Sequence, residues 1–176
     1  GLLGGDHSTP LGFMKALAEK HGDFGILQID AHCDLRKAYE GFEQSHASIM
    51  YNVLQSCGNL QKLVQVGIRD IAYSEVQLSD SDPRVKTFYD WDLKKGQFEG
   101  QTWKEQVAMI LNELPQRVYI SFDIDGLLPS LCPNTGTPVV GGFELEQINY
   151  LFFQLVESGR KIIGFDLNEV APGKEG

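Results

Sequence analysis

Two short apolar runs end abruptly in acids, and this pattern limits the possible fold more than any other feature of the chain. Val118 to Phe122 leads into Asp123 and Asp125, and Phe24 to Ile29 leads into Asp30-Ala31-His32-Cys33-Asp34. Runs that turn polar only where they stop read as strands buried on both faces. Successive strand residues point to opposite sides, so acids two apart at a strand's end aim at one place. Anions held that close repel each other unless a cation lies between them. The strand-end ligands therefore point to a centre for two metal ions.

Helix-periodic segments separate the runs. Ser8 or Thr9 is expected to cap a helix that opens on Pro10, turns Leu11, Met14, Leu17 and Ala18 inward and stops near Gly22. After a strand over Phe24–Asp30, a polar connection over 35–44 leads to a helix over 46–56 and a strand over 62–67. A short helix over 74–78, a weaker strand over 84–89 and a helix over 102–114 come next. A strand over 117–122, a helix over 144–158 and a strand over 161–166 finish the order. This alternation predicts a three-layer α/β/α fold with a mainly parallel sheet, its ligands gathered beyond the carboxyl edge. No repeat or linker divides residues 1–176, so one α/β domain is expected. Only Gly1-Leu2-Leu3 precedes Gly4-Gly5-Asp6-His7-Ser8, and Lys174-Glu175-Gly176 follows the last strand-end acid with no closing helix. The expectation is a domain truncated at both ends, lacking its first and last elements.

The formal net charge of −9 argues against nucleic acid or an anionic membrane as partner. No apolar stretch approaches the roughly 18 residues of a membrane span. Three widely spaced cysteines without a CxxC pair suggest a reducing, cytoplasmic setting. Cys33 alternates away from its acidic neighbours and reads as a small packing residue.

Each acid alone has a plainer explanation as a helix cap or turn former. As a set, His7, Asp30, His32, Asp34, Asp123 and Asp125 offer two nitrogens and four carboxylates. Such hard, oxygen-rich surroundings suit Mn²⁺ or a similar divalent ion better than thiolate-preferring zinc.

GGDHS at 4–8, DAHCDLR at 30–36, SFDIDGLLP at 121–129, TGTPVVGG at 135–142 and DLNEVAP at 166–172 resemble, in order, the motifs of the ureohydrolase family of arginase, agmatinase and formimidoylglutamase. The resemblance implies two Mn²⁺ ions, one held by His7, Asp30, Asp34 and Asp123, the other by Asp30, His32, Asp123 and Asp125. Such a pair acidifies a water held between its ions for attack on a guanidinium carbon. Asp34 would orient that water and accept its proton. His46 resembles the family's proton shuttle, although by itself it could equally be the cap of the helix that starts there. Glu169 resembles the guanidinium-binding carboxylate, and Thr137 a second substrate contact; alone they are a loop acid and a turn threonine. Leu128 stands where the family usually has an acid, and a loop adjustment is expected there.

The substrate tail is less constrained. Arg36, where arginases tend to carry Asn, could grip a substrate carboxylate or pair with a nearby acid such as Glu40. The expected substrate is a small guanidine or amidine, agmatine ahead of formimidoylglutamate and arginine, acted on by a homo-oligomer of the full-length protein. A catalytically silent, metal-binding scaffold is the alternative of another class.

Overall fold

The computed structural model describes residues 1–173, so Lys174-Glu175-Gly176 lie outside the described residues. The chain runs β1 (Leu2–Leu3), α1 (Leu11–His21), β2 (Phe24–Ile29), α2 (Ile49–Ser56), β3 (Leu60–Ile68), α3 (Tyr73–Ser81), β4 (Val85–Tyr89), α4 (Asp90–Phe98), α5 (Trp103–Asn112), β5 (Arg117–Asp123), α6 (Leu145–Glu157) and β6 (Lys161–Asn168). Short 3-10 turns, His46–Ser48 and Ile124–Gly126, precede α2 and follow β5.

The six strands form one sheet in the order β1-β6-β5-β2-β3-β4, and every neighbouring pair is parallel. Alternation along the strands sorts their side chains into two cores. Phe24, Ile26, Leu63 and Tyr119 pack with Met14 and Ala18 of α1 and with Met50, Val53 and Leu54 of α2. Leu27, Ile29, Val64, Val66, Val118 and Ile120 pack with Val107, Ile110 and Leu111 of α5 and with Ile148, Leu151 and Leu155 of α6. Helices thus cover both faces, which is why the strands read as unbroken apolar runs. Among the described residues no helix is long and apolar enough to cross a membrane.

Several boundaries differ from the sequence expectation. Pro10 itself occupies the cap position of α1, and neither Ser8 nor Thr9 supplies a side-chain cap. β5 runs one residue further, so Asp123 ends the strand rather than starting the loop. The helix α4 went unread because Leu93 is its single buried apolar residue, which leaves no periodic stripe. By contrast, α5 announces itself. Thr102 Oγ1 accepts from the Glu105 N–H, and Glu105 Oε2 accepts from the Thr102 N–H.

One irregularity shapes the carboxyl edge. The β3–β4 register slips between Val66 and Ile68, leaving Gly67 as a bulge with φ of +98°. A Cβ on Gly67 would stand 2.6 Å from the Phe143 ring and 3.1 Å from Asp30 O. Gly67→Ala is therefore expected to cost about 1–3 kcal/mol from strain and overpacking together, read by chemical denaturation of the full chain.

Candidate metal centre

Loops after β1, β2 and β5 meet at the carboxyl edge. Asp30 Oδ1 accepts the His32 N–H at 2.7 Å, folding the chain back as soon as β2 ends. Asp34 lies in the left-handed region with φ of +54°, and its carbonyl accepts the N–H groups of Met50 and Tyr51 at the start of α2. On the neighbouring strand, Asp123 Oδ1 accepts the Asp125 N–H at 2.9 Å. Asp125 Oδ1 accepts the Ala31 N–H at 3.0 Å, which ties the two acidic loops together.

The six side chains converge. His7 Nδ1 lies 3.1 Å from Asp30 Oδ2, 3.0 Å from Asp34 Oδ2 and 3.3 Å from Asp123 Oδ2. His32 Nδ1 lies 3.0 Å from Asp125 Oδ2 and 3.5 Å from Asp30 Oδ1. Two groups able to hold a cation result, His7-Asp30-Asp123 and Asp30-His32-Asp125, with ligand atoms inside 4.8 Å of one another. Asp30 belongs to both groups, whereas Asp123 stands in the first alone.

The orientation of His7 decides whether a cation fits. Its Nε2 is 2.8 Å from Ser121 Oγ, and Ser121 gives its own proton to Asp166 Oδ1. Ser121 must therefore accept from His7, which puts the neutral ring's proton on Nε2. Nδ1, buried and facing the three carboxylates, is then the ring atom that an entering cation would meet once its proton is displaced. That is a socket for a positive ion, and the chain Asp166–Ser121–His7 is the outer support that metal-binding histidines commonly have. Around the second group, Asp70 Oδ2 lies 3.8 Å from His32 Nε2. No sequence pattern marks Ser121 and Asp166 as partners, because their pairing follows from strand register.

Without a metal, protons compensate the acids. Burial disfavours charge on His7, but the carboxylates of Asp123, Asp30 and Asp34, which accept from the charged ring, outweigh it and raise its pKa well above the usual imidazole value. His32 is opposed by burial in the same way, yet Asp125 and Asp30 lift it to about 11. Burial and the charge of Asp30 push Asp34 up to about 7. Asp30 itself stays ionised, because bonds from His32 and His7 overcome its burial.

Arg69, just after β3, is a further residue of the site and follows from no pattern in the sequence. Its Nη2 donates to the carbonyls of Asp125 (2.6 Å), Val139 (3.1 Å) and Leu127 (3.2 Å), and its Nη1 to Gly67 O (3.1 Å). One guanidinium thus fixes the loop that carries Asp125.

The remaining candidates line the cavity beside the carboxylates: Arg36, His46, Thr137 and Glu169. Glu169 has φ of +60°, and its Oε1 accepts the His7 N–H at 2.8 Å. Thr137 Oγ1 lies 3.3 Å from Asp125 Oδ2. His46 opens the 3-10 turn ahead of α2 at the rim, its ring 5.3 Å from that of Tyr39 and its Nδ1 3.9 Å from Asp6 Oδ2. Arg36 does not pair with Glu40. Its Nε lies 3.7 Å from the buried Glu75, and its guanidinium sits over the Tyr39 ring. At Leu128, the N–H bonds Phe143 O at 2.9 Å, holding the turn without an acid.

Two outcomes follow from this geometry. Loading a divalent ion at pH 7 must displace protons from His7 and His32, so binding should release protons and weaken as pH falls. Calorimetric titration in two buffers of different ionisation enthalpy measures that release, and a buffer-independent heat would contradict it. Arg69→Lys keeps the charge but loses the fork, and is expected to cost about 2 kcal/mol in denaturant unfolding.

The comparisons with known proteins agree with one another. The description "Arginase family" matches residues 2–175. An N(1)-aminopropylagmatine ureohydrolase of Thermus thermophilus is 38% identical over 170 residues, which cover 97% of this chain and 54% of that protein. The mitochondrial agmatinase of Gallus gallus is 33% identical over 178 residues, covering 97% and 49%. Proclavaminate amidino hydrolase from Streptomyces clavuligerus superimposes with a TM-score of 0.80 at 28% identity, covering 97% of this chain and 54% of that one. The chain spans about half the length of the curated relatives it matches. With a matching sequence over almost all its residues and the same parallel sheet beneath, this chain belongs to the arginase family.

Proposed function

We propose that the complete protein is a binuclear manganese hydrolase that cleaves a C–N bond of a linear guanidine, with agmatine split to putrescine and urea as the first substrate to test. The observation that carries this reading is the buried His7 Nδ1 aimed at Asp30, Asp34 and Asp123, beside a second histidine-carboxylate group that shares Asp30. His7, Asp34, Asp30 and Asp123 would hold one ion, and Asp30, His32, Asp125 and Asp123 the other. Once bound, the ions supply an acidified water and positive charge for the developing anion.

The chain's own groups then divide the work. Asp34 is buried against His7, where it can orient the attacking water and take its proton. Glu169 gives Oε1 to the His7 N–H, leaving Oε2 for the N–H groups of a planar guanidinium. Thr137, hydrogen-bonded to Asp125, adds a contact at the same wall. His46, which lines the cavity at its rim, would hand a proton to the departing amine.

Arg36 bears on the tail. With Glu75 beside it and Tyr39 beneath it, its charge is already compensated, which favours a substrate without a carboxylate, such as agmatine, over formimidoylglutamate. The named relatives include an agmatinase and an aminopropylagmatine ureohydrolase, which supports the same tail.

The direct test is urea release from agmatine by the full-length protein with Mn²⁺ added and then chelated. Activity should vanish with the metal and return on re-addition. Asp34→Asn should lower kcat by about 10²–10⁴-fold, the usual worth of a positioned acid or base. Mn²⁺ binding without turnover of agmatine, arginine, guanidinobutyrate or formimidoylglutamate would instead favour the silent scaffold.

A further inference from the structure

Beneath the ligands, one row of polar side chains crosses the sheet. Strand register places Asp166 of β6 beside Ser121 of β5, Ser121 beside Gln28 of β2, Gln28 beside Gln65 of β3, and Gln65 beside Thr87 of β4. The Asp166–Ser121 half supports His7. The other half has no part in the chemistry described so far, although Gln28 and Gln65 are fully buried. Buried amides persist in a sheet interior only when their bonds are complete.

Those bonds run in one direction. Gln65 Nε2 donates to Gln28 Oε1 (2.6 Å) and to Cys33 O (2.7 Å), two acceptors that forbid the flipped amide. Gln28 Oε1 is thereby occupied, so its Nε2 donates to Asp30 Oδ2 (2.8 Å) and to His32 O (3.2 Å). At the outer end, Thr87 Oγ1 donates to Gln65 Oε1 (3.0 Å), and Ser79 Oγ lies 3.0 Å from Thr87 Oγ1. One proton each from Thr87, Gln65 and Gln28 points along the row toward Asp30, while the second amide protons of Gln65 and Gln28 go to Cys33 O and His32 O.

The oxygen it reaches is Oδ2, which faces His7, whereas Oδ1 faces His32 and is already held by the His32 N–H. We propose that Gln28, Gln65 and Thr87 are positioning residues that hold this one oxygen of Asp30, so that the ion on the His7 side depends on a hydroxyl two strands away. The inference rests on the two-ion reading above. It adds that the two ions are supported unequally: the amide chain bonds the Asp30 oxygen on the His7 side directly, whereas on the His32 side it reaches only a backbone carbonyl, through the longer 3.2 Å bond to His32 O.

The test titrates Mn²⁺ into the metal-free full-length protein and resolves the two ions by calorimetry and by paramagnetic resonance, which separates a coupled pair from a single ion. Gln28→Leu should weaken the His7-side ion by about 10–100-fold, the usual cost of losing an outer-shell partner, and leave the His32-side affinity near wild type. The coupled signal should then give way to that of a lone ion at limiting Mn²⁺. Thr87→Val, a same-shape change remote from the ligands, should weaken the same ion less, and Thr87→Ser should restore it. Equal losses at both ions, or a Thr87→Ser protein no better than Thr87→Val, would overturn the inference and leave the row a structural filler. A wild-type protein that binds no pair of ions would remove the two-ion reading, and this inference with it.

Discussion

Repulsion among four carboxylates, crowded where two parallel strands end, is the constraint on which the rest of the structure depends. Oxygens less than 4.8 Å apart repel by roughly 3–4 kcal/mol at an effective dielectric constant of about 20. The two such pairs, Asp30–Asp123 and Asp30–Asp125, would consume much of a domain's net stability, about 5–15 kcal/mol. The fold tolerates them because positive charge is always supplied, by imidazolium protons in the metal-free chain or by divalent ions. Asp30 bears the largest share, since it faces both histidines and belongs to both groups.

The parallel sheet turns that local problem into a defined site. Parallel register brings the ends of β2 and β5 side by side although they are far apart in sequence, and Asp125 seals the junction through the Ala31 N–H. Arg69, beyond the glycine bulge of β3, gathers the carbonyls of the Asp125 loop. The polar row beneath anchors both the His7 ring and Asp30. Chemistry, loop geometry and sheet packing are thus joined through one set of hydrogen bonds.

Much of this was legible in the residues themselves. Apolar runs such as Phe24–Ile29 disclose a two-sided strand, and the order Asp30, His32, Asp34 directly after it points to acids and an imidazole gathered at the sheet's edge. What stayed hidden depends on register or on weak patterning. Gln28 and Gln65 look like interruptions in their strands until the pairing sets them side by side. The partner of Arg36 is Glu75, 39 positions along the chain and brought near by α3, rather than the sequence-adjacent Glu40. Helix α4 buries only Leu93 among its apolar side chains, and the slip at Gly67 leaves no trace in periodicity.

The most direct measurement is an anomalous difference map at the manganese edge, from crystals of the full-length protein grown with Mn²⁺. Two peaks are expected, one bounded by His7, Asp34 and Asp123, the other by His32 and Asp125, with Asp30 between them. A single peak, or density away from these six side chains, would contradict it.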